Sequence, residues 1–301
     1  MKKNYLFFAF IALVMGLSFS SCSKSDDNTP TFKGTDPNSI ATSNLIAYWG
    51  FEDSPKDAIG QRGVASPGIT YQTGMRGKAF QGGDNSYISF DLPASDKLAT
   101  MTEFSVAMWL KAPRTSNGPG CYFQLSAGNY WNGEFTVFQD NMGDNTSDSL
   151  MVKGFFQKQG ANWAGQWWNC SNPSLVADKW FHLVVNYSAA TSVATLYVNG
   201  GAYIFQTTSA YDTPVRYQDD PGGPDNPLGA AKLGALNLGL TGGNAKGVIG
   251  NWANRTVFPG VDPQDWQGSF LGSIDELRVY DKALTDAEVK QLYDAEVDQV
   301  N

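Results

Sequence analysis

The segment that most constrains the fold lies near the C-terminal end, where a strand pattern runs directly into a helix pattern over residues 272–293. Ile274, Leu277 and Val279 are apolar among charged neighbours. After Asp281 the hydrophobic period changes from about two to about 3.6 residues, which indicates a strand followed by a helix. A strand of this kind needs neighbours on both sides, so the segment is predicted to complete a sheet.

The start of this helix is marked by its own sequence signature. Thr285 and Glu288 have the Thr-x-x-Glu spacing of a capping box, and Leu284 and Val289 stand where a hydrophobic staple would form. One apolar stripe follows, made of Val289, Leu292 and Tyr293. The pattern predicts a short terminal helix that packs by one face.

The closing segment, Gly-x-Ile-Asp-Glu-x-Arg-x-Tyr followed by Ala-Leu-Thr-x-x-Glu-Val-x-x-Leu-Tyr, resembles the end of laminin-G-like, concanavalin A-like jelly-roll domains. Further segments that agree in order are residues 45–52, 104–111, 180–187 and 196–200. The resemblance spans roughly residues 44–296. It implies an all-β jelly-roll β-sandwich of two antiparallel sheets with a short C-terminal helix, formed as a single domain by residues 44–301.

Composition agrees with such a domain and excludes one class of partner. The chain has 301 residues, of which 42% are hydrophobic and 13% aromatic, and its 32 glycines suit many short strands joined by tight turns. The formal net charge is −8. An acidic surface of this kind offers no electrostatic footprint for a phosphate backbone, so nucleic acid is not an expected partner.

Alternation and β-branched or aromatic content predict strands across the body of the chain. The predicted strands are 45–51, 78–82, 86–91, 104–111, 121–127, 134–139, 149–157, 180–188, 193–199, 202–208, 231–239 and 268–280. The remaining long segments are predicted to be irregular loops: 140–148, 158–176, 211–230 and 241–266. Long loops on a rigid sandwich commonly carry function.

The N-terminal end looks like a targeting signal. Residues 1–21 have a basic start and an apolar run too short for a membrane span of ~20 residues. Cys22 follows two small residues, which resembles a bacterial lipobox and predicts lipidation; an ordinary secretory leader is the alternative. Residues 22–43 are expected to form a flexible tether. The pair Asp26 and Asp27 resembles an export tag, which implies a lipid anchor in the outer membrane of a Gram-negative bacterium and exposure at the cell surface.

Lipidation of Cys22 would leave Cys121 and Cys170 as an even pair in an oxidising compartment. Such pairs commonly form disulfides. The sequence therefore favours a Cys121–Cys170 bridge over two buried free thiols.

An acidic turn follows the first predicted strand. Glu52, Asp53 and Asp57 crowd three carboxylates into six residues, and Ca²⁺ prefers several such oxygen ligands. In jelly-roll relatives a structural calcium often lies where the opening loop meets the closing strand, and the resemblance implies Glu52, Asp57 and Asp275 as ligands. The serine of the family's Asp-x-Ser-Gly loop is missing here. The alternative is a solvated acidic turn without a metal.

Tryptophans outside the matched strands suggest a glycan-binding surface. Trp163, Trp167 and Trp168 lie in a polar, glycine-containing segment, where a half-exposed ring could stack on a sugar while amides and carboxylates read its hydroxyls. Further aromatic residues that could extend the platform are Tyr130, Trp131, Trp252 and Trp266. The alternative for each ring is a place in a satellite core beneath a loop.

Signs of catalysis are missing from the sequence. Some glucanases of this fold carry Glu-x-Asp-x-x-Glu on a concave strand, whereas the only Glu-x-Asp here is Glu296-Val-Asp298. His182, the single histidine, lies inside a predicted strand and is expected to be structural.

The sequence therefore predicts a cell-surface lipoprotein that binds a polysaccharide or other glycan without catalysis and meets the membrane only through its lipid. A protein-adhesion or structural surface module, with surface protein partners, is the alternative. A glycoside hydrolase with an unfamiliar carboxylate pair is a further one.

Overall fold

The computed structural model describes residues 35–115, 117–141, 148–159, 165–203, 214–218 and 231–297. These residues belong to a compact unit that runs from Phe32 to Asn301. Among them, no helix combines the length and the apolar character that a membrane crossing requires.

Two antiparallel sheets make up the fold, which confirms the predicted jelly-roll β-sandwich. The first sheet has the order β13-β12-β11-β6-β15-β4-β3, with β1 also paired to β15; the second has the order β10-β9-β8-β7-β14-β5-β2. The strands are β1 (Leu45–Trp49), β2 (Val64–Ala65), β3 (Thr70–Thr73), β4 (Lys78–Gln81), β5 (Ile88–Asp91), β6 (Phe104–Lys111), β7 (Cys121–Ser126), β8 (Phe135–Asn141), β9 (Ser149–Gln157), β10 (Gly165–Val176), β11 (Trp180–Ser188), β12 (Val193–Val198), β13 (Gly201–Tyr203), β14 (Lys246–Ile249) and β15 (Ser273–Tyr280). The helices are α1 (Ala253–Thr256) and α2 (Asp286–Val297).

The C-terminal segment closes the first sheet as its pattern predicts. Strand β15 pairs with β6, β4 and β1, and α2 follows it. The capping box is present: the Glu288 backbone N–H donates to Thr285 Oγ1 at 3.2 Å, and the Thr285 N–H donates to Glu288 Oε2 at 2.8 Å. Leu284 and Val289 are both buried in one hydrophobic cluster under the helix.

The main core fills the space between the two sheets. Large rings from both layers meet there; Phe104 of β6, for example, contacts Phe135 of β8 edge-on with 5.0 Å between ring centroids. Gly154 of β9 leaves room for the Trp168 ring, since a Cβ at this position would lie 2.0 Å from the ring. The packing of the two inner faces leaves the outer face of the second sheet for other contacts.

Several predicted boundaries differ from the structure. Strands β2, β3, β10 and β14 occur where none was predicted, whereas 231–239 contains only an isolated bridge. The last residues of the predicted tether, 22–43, lie against the folded domain. Ile40 is buried, and the Asn38 side-chain oxygen accepts hydrogen bonds from Arg278 at 3.0 and 3.2 Å, so the chain is already packed against the domain at these positions.

The predicted disulfide between Cys121 and Cys170 is wrong. Both residues are buried free thiols. Cys121 lies on β7 and Cys170 on β10, with β8 and β9 between them, so about three strand spacings, or roughly 14 Å, separate them. A disulfide needs Cα atoms within about 7 Å. The even cysteine count was compatible with a bridge, but the sheet order places the two thiols too far apart.

Candidate functional site

A row of directly opposed residues crosses the second sheet on its outer face. Phe138 of β8 is paired with Lys153 of β9, which is paired in turn with Asn169 of β10. Their neighbours along the chain, such as Val137 and Val152, point into the core. Because side chains alternate along a strand, the row faces away from the core.

The segment 251–268 covers part of this face and is anchored through Trp252. The indole N–H of Trp252 donates to the carbonyl oxygens of Pro119 at 2.9 Å and Gly268 at 3.1 Å. The Ala253 backbone N–H, at the start of α1, donates to Gln124 Oε1 at 2.6 Å. These bonds hold the segment on β7 and fix the ring of Trp252 against the sheet.

Trp131, from the loop after β7, meets Trp252 and Trp266 of the segment 251–268 to form a cluster of three tryptophans. The Trp131 ring centroid lies 5.8 Å from that of Trp252 and 4.8 Å from that of Trp266, and both contacts are edge-to-face. Trp252 is fully buried, Trp131 is half-buried, and Trp266 is 39% exposed. The buried ring therefore supports two outer rings that reach the surface.

A groove of about 470 Å³ opens beside these rings. The described residues that line it are Pro119, Trp131, Phe138, Asp140, Lys153, Asn169 and Trp266. Lys153 Nζ lies 2.5 Å from Asp140 Oδ2, so the two charges are paired. Aromatic walls with a few fixed polar groups are the usual composition of a small-molecule site. The groove can therefore stack a flat apolar surface while amide, ammonium and carboxylate groups bind hydroxyls.

The residues predicted to form the platform occupy different positions: some line the groove, one lies beside it, one lies below it and one is in the main core. Trp131 and Trp266 line the groove, and Tyr130 is 63% exposed beside it without lining it. Trp252 supports the site from below. The prediction for Trp168 is wrong, because this ring is 2% exposed and packs in the main core.

The side chains of two further predicted residues, Trp163 and Trp167, are not among those that the structure describes. Trp163 lies outside the described residues. Trp167 belongs to β10 and is paired with Phe155, but its side chain also lies outside them. The site therefore has an aromatic wall from the segments near 131 and 266, and the contribution of the 160–167 segment stays a prediction.

Sequence reasoning missed the floor of the groove, which consists of Phe138 and the polar residues Asp140, Lys153 and Asn169. All four lie on strands, at outward positions whose neighbours along the chain, such as Val137 and Val152, face the core. Each residue alone occupies an ordinary outward strand position, so no signal in the sequence marks these four as parts of one site.

The hydrogen bonds of the three predicted calcium ligands place Asp57 in one loop and direct Glu52 and Asp275 toward a different turn. Asp57 is fully buried, and its oxygens accept from the backbone N–H groups of Ile59, Gly60 and Arg62 at 2.6 to 2.8 Å, with a further contact to the Arg62 guanidinium. The Asp57 carboxylate therefore stabilises the turn formed by residues 57–62. Within the described ranges, no group of three or more His, Cys, Asp or Glu side chains is placed to hold a metal ion.

Glu52 and Asp275 instead approach one turn, residues 74–77. Glu52 accepts from the Lys78 N–H at 3.2 Å, and Asp275 Oδ2 accepts from the Arg76 N–H at 2.9 Å. Burial, with the nearby Glu276 carboxylate, raises the pKa of Asp275 to about 9. This corner of the fold therefore brings several carboxyl groups together, of which Glu276 is paired with Arg76 and Asp53 with Lys78.

A second buried set of charges lies beneath α2. Arg278 donates to Glu276 Oε2 at 2.5 Å and to Glu296 Oε1, and its guanidinium lies 4.4 Å from the centre of the Tyr48 ring. His182 is buried beside this set, and burial together with Arg278 lowers its pKa to about 3. The neutral imidazole packs 5.2 Å from the Trp109 ring, in the structural position that its strand pattern predicts.

Comparison with known proteins places the fold in context. No curated protein matches the chain in sequence. Domain 4 of AbnA, a GH43 extracellular arabinanase from Geobacillus stearothermophilus solved with arabinotriose, is 21% identical with a TM-score of 0.47; the alignment covers 83% of this chain and 98% of that one. The binding domain of Paraclostridial Mosquitocidal Protein 1 is 16% identical, with a TM-score of 0.51 and coverage of 83% and 52%.

The botulinum neurotoxin serotype D ligand binding domain, solved with N-acetylneuraminic acid, is 12% identical with a TM-score of 0.52 and coverage of 86% and 52%. The chain thus spans about half the length of the two toxin domains. Residues 82–229 match the family model described as the concanavalin A-like lectin/glucanases superfamily, of the laminin-G type. This match agrees with the two-sheet architecture that extends on both sides of the range, and the described domain has the laminin-G-like, concanavalin A-like jelly-roll fold.

Proposed function

We propose that this protein is a non-catalytic glycan-binding protein and that the groove beside Trp131 and Trp266 is its binding site. The observation that carries the proposal is the composition of that groove. Two tryptophan rings reach the surface over a fully buried third ring, and paired polar groups lie 2.5 Å apart on the floor below them.

The chemistry of a sugar matches both parts of this surface. A pyranose or furanose presents C–H groups on its faces and hydroxyls at its edges. The exposed part of Trp266 offers a flat apolar surface to the C–H groups, while Asp140, Lys153 and Asn169 supply donors and acceptors to the hydroxyls. Because Trp252 fixes the rings in advance, little conformational entropy would be lost on binding.

The non-catalytic part of the proposal rests on the carboxylates of the groove. Most glycoside hydrolases use two carboxyl groups that flank the scissile bond. The described lining contains one, Asp140, and it is paired with Lys153. A paired carboxylate is suited to holding a hydroxyl, and the proposal assigns it that role.

We further propose that lipidation of Cys22 anchors the domain in the outer membrane and displays the groove at the cell surface. The support is the leader, the small residues before Cys22 and the acidic pair after it. A glycan-binding groove would meet polysaccharides outside the cell in this setting. The fold adds support of a general kind, since the serotype D toxin domain of the same fold has been solved with a sugar.

Replacing Trp266 by alanine is expected to weaken glycan binding at least about tenfold, because the exposed stacking surface is lost. Asn169→Ala, which removes one hydroxyl partner without touching an aromatic ring, should weaken it by a smaller factor. A glycan array with the purified full chain identifies the ligand, and affinity gel electrophoresis in that polysaccharide measures the retention of each variant.

Tyr130→Ala serves as the matched control. Tyr130 is exposed, aromatic and adjacent to Trp131, yet it does not line the groove, so its loss should leave retention unchanged. Equal retention of wild type and both groove variants would contradict the site. Absence of binding to every glycan would contradict the function and favour a protein-adhesion module.

We also propose a structural calcium ion at the 74–77 turn, with Glu52 and Asp275 as its carboxylate ligands and backbone carbonyl oxygens completing the shell. The support is the accumulation of carboxylates around this turn and the raised pKa of Asp275. Asp57 is not part of this proposal, because its hydrogen bonds direct it into its own loop, residues 57–62, and not toward the 74–77 turn.

Removal of this ion by a chelator is expected to lower the melting temperature, because the buried Asp275 carboxylate would lose its counter-charge. Differential scanning calorimetry with and without chelator checks this, and added Ca²⁺ should restore the original value. Asp275→Asn should make the melting temperature insensitive to Ca²⁺. A chelator that leaves the wild-type melting temperature unchanged would argue against the site.

A further inference from the structure

A second pocket lies on the second sheet, on the other side of the segment 251–268. Its volume is about 680 Å³, and its described lining is Asp91, Leu92, Pro93, Ala127, Gly128, Asn129, Gly243, Asn244, Ala245, Lys246 and Phe258. On β7, the first groove lies near Cys121 and the second pocket begins after Ser126. At about 3.3 Å per residue, roughly 16 Å separate the two along the strand.

The second pocket contains the same kinds of groups as the first. Lys246 of β14 is directly paired with Asp91 of β5, and Lys246 Nζ lies 2.5 Å from Asp91 Oδ1. The exposed amides of Asn129 and Asn244 stand on the two loops that border it. Phe258, half-buried, supplies one aromatic wall. The two sites therefore share one set of groups: a Lys–Asp pair on neighbouring strands, an amide and an aromatic ring. They lie at opposite ends of the outer face of the second sheet.

The 127–129 side of the pocket is held in place by a buried carboxyl group. Glu134 is 2% exposed; its Oε2 accepts from the Ala127 backbone N–H at 2.5 Å and its Oε1 from the Asn129 side-chain amide at 3.5 Å. Ser126 Oγ accepts from the Gly128 N–H at 3.0 Å. Asn129 is thereby oriented while its carbonyl oxygen and second amide hydrogen are left for a ligand.

The aromatic wall is fixed as well. A Cβ on Gly128, which has a φ of 80°, would lie 2.9 Å from the Phe258 ring, so the ring rests directly on this turn. On the opposite side, a Cβ on Gly243 would meet nothing within 4 Å. The Phe258 ring is therefore packed against the 127–129 turn, whereas the pocket is open at the 242–244 loop, which provides a path for entry.

We propose that this pocket is a second saccharide-binding site, selective for an uncharged sugar. Its only described charges are Asp91 and Lys246, which neutralise each other, so an anionic sugar would gain no free cation there. Two amides and the Lys–Asp pair can bind hydroxyls, and Phe258 offers an apolar face. The site goes beyond the proposed function, because it would bind sugar whether or not the first groove does.

Two sites on one domain would allow two segments of one polysaccharide to bind together. The second event would then be intramolecular, and retention on a polymer would exceed that expected from either site alone. A short oligosaccharide could occupy each site but could not bridge them. A larger gain in affinity for the polymer than for the oligosaccharide therefore distinguishes a second binding site from a pocket that binds no sugar.

Native mass spectrometry of the purified full chain can count bound ligands. The probes are neutral xylo-, manno-, gluco- and arabino-oligosaccharides at millimolar concentration, with sialyllactose as the anionic counterpart. Wild type should bind two copies of a neutral probe. Asn244→Ala combined with Lys246→Met should bind one, Trp266→Ala should bind one, and the three substitutions together should bind none.

Lys290→Met is the matched control, since Lys290 forms an equally short, exposed pair with Asp294 on α2. It should bind two copies like the wild type. A wild-type count that the Asn244 and Lys246 substitutions leave unchanged would overturn the second site and leave the first groove intact. A count lowered by these substitutions but not by Trp266→Ala would support the second site and contradict the proposed function. Binding of sialyllactose alone at the second pocket would overturn its selectivity.

Discussion

Replacing Arg278 by leucine is expected to lower the free energy of unfolding by about 3–5 kcal/mol, because it leaves buried carboxylates without their partner. Arg278 is fully buried and is bonded to Glu276 and Glu296, both of which are 1% exposed. It also donates to Asn38 and lies over the Tyr48 ring, so its loss releases the N-terminal turn and the terminal helix together. Urea unfolding monitored by tryptophan fluorescence measures the change.

A surface pair provides the contrast for this measurement. Lys290→Ala removes an exposed i,i+4 pair with Asp294 on the same helix and should change stability by less than about 0.5 kcal/mol. A triple variant with Arg278→Leu, Glu276→Gln and Glu296→Gln removes all three charges and should recover much of the loss. If Arg278→Leu alone were no more harmful than Lys290→Ala, the charge network would not stabilise the closure.

The closing segment could be predicted from sequence because its determinants are local. The capping box of Thr285 and Glu288 and the apolar stripe of α2 lie within a few residues of one another. The role of Arg278 could not be predicted. Its partner Glu296 lies on the helix and its partner Asn38 lies far upstream, and only the folded chain brings the three together.

Strand β10 shows why the prediction from local composition was wrong for the middle of the chain. Its residues are rich in Asn, Gln and Ser, which favour loops in isolation, and the segment was predicted to be irregular. Pairing with β9 satisfies its backbone groups, and Trp168 and Cys170 fill the core. Tertiary packing therefore outweighed the intrinsic preference of the segment.

The sequence indicated the aromatic wall of the candidate site but not its polar floor. Loop tryptophans pointed to a stacking surface, and Trp131 and Trp266 do line the groove. The floor of the groove depends on register, since Lys153 faces Asn169 only because β9 and β10 pair at that offset. A single sequence does not specify this offset, so the polar half of the site could be found only in the structure.

Trp168→Ala is expected to lower the free energy of unfolding by about 3–5 kcal/mol, the range for removing a buried aromatic side chain. The Trp168 ring lies 5.4 Å from that of Phe156 and 6.4 Å from that of Phe135, and it covers Gly154. Deleting it would leave a cavity between the sheets that neighbouring strands cannot close. Thermal and urea unfolding of the full chain measure the loss.

Trp266→Ala is the comparison that separates core from surface. Trp266 is 39% exposed, so its removal should cost about 1 kcal/mol or less while weakening glycan retention. Trp168→Ala should show the opposite pattern, with a large loss of stability and near-normal retention per folded molecule at low temperature. If Trp168→Ala instead abolished retention with little change in stability, the ring would belong to the binding surface, and the assignment of Trp168 to the core would be wrong.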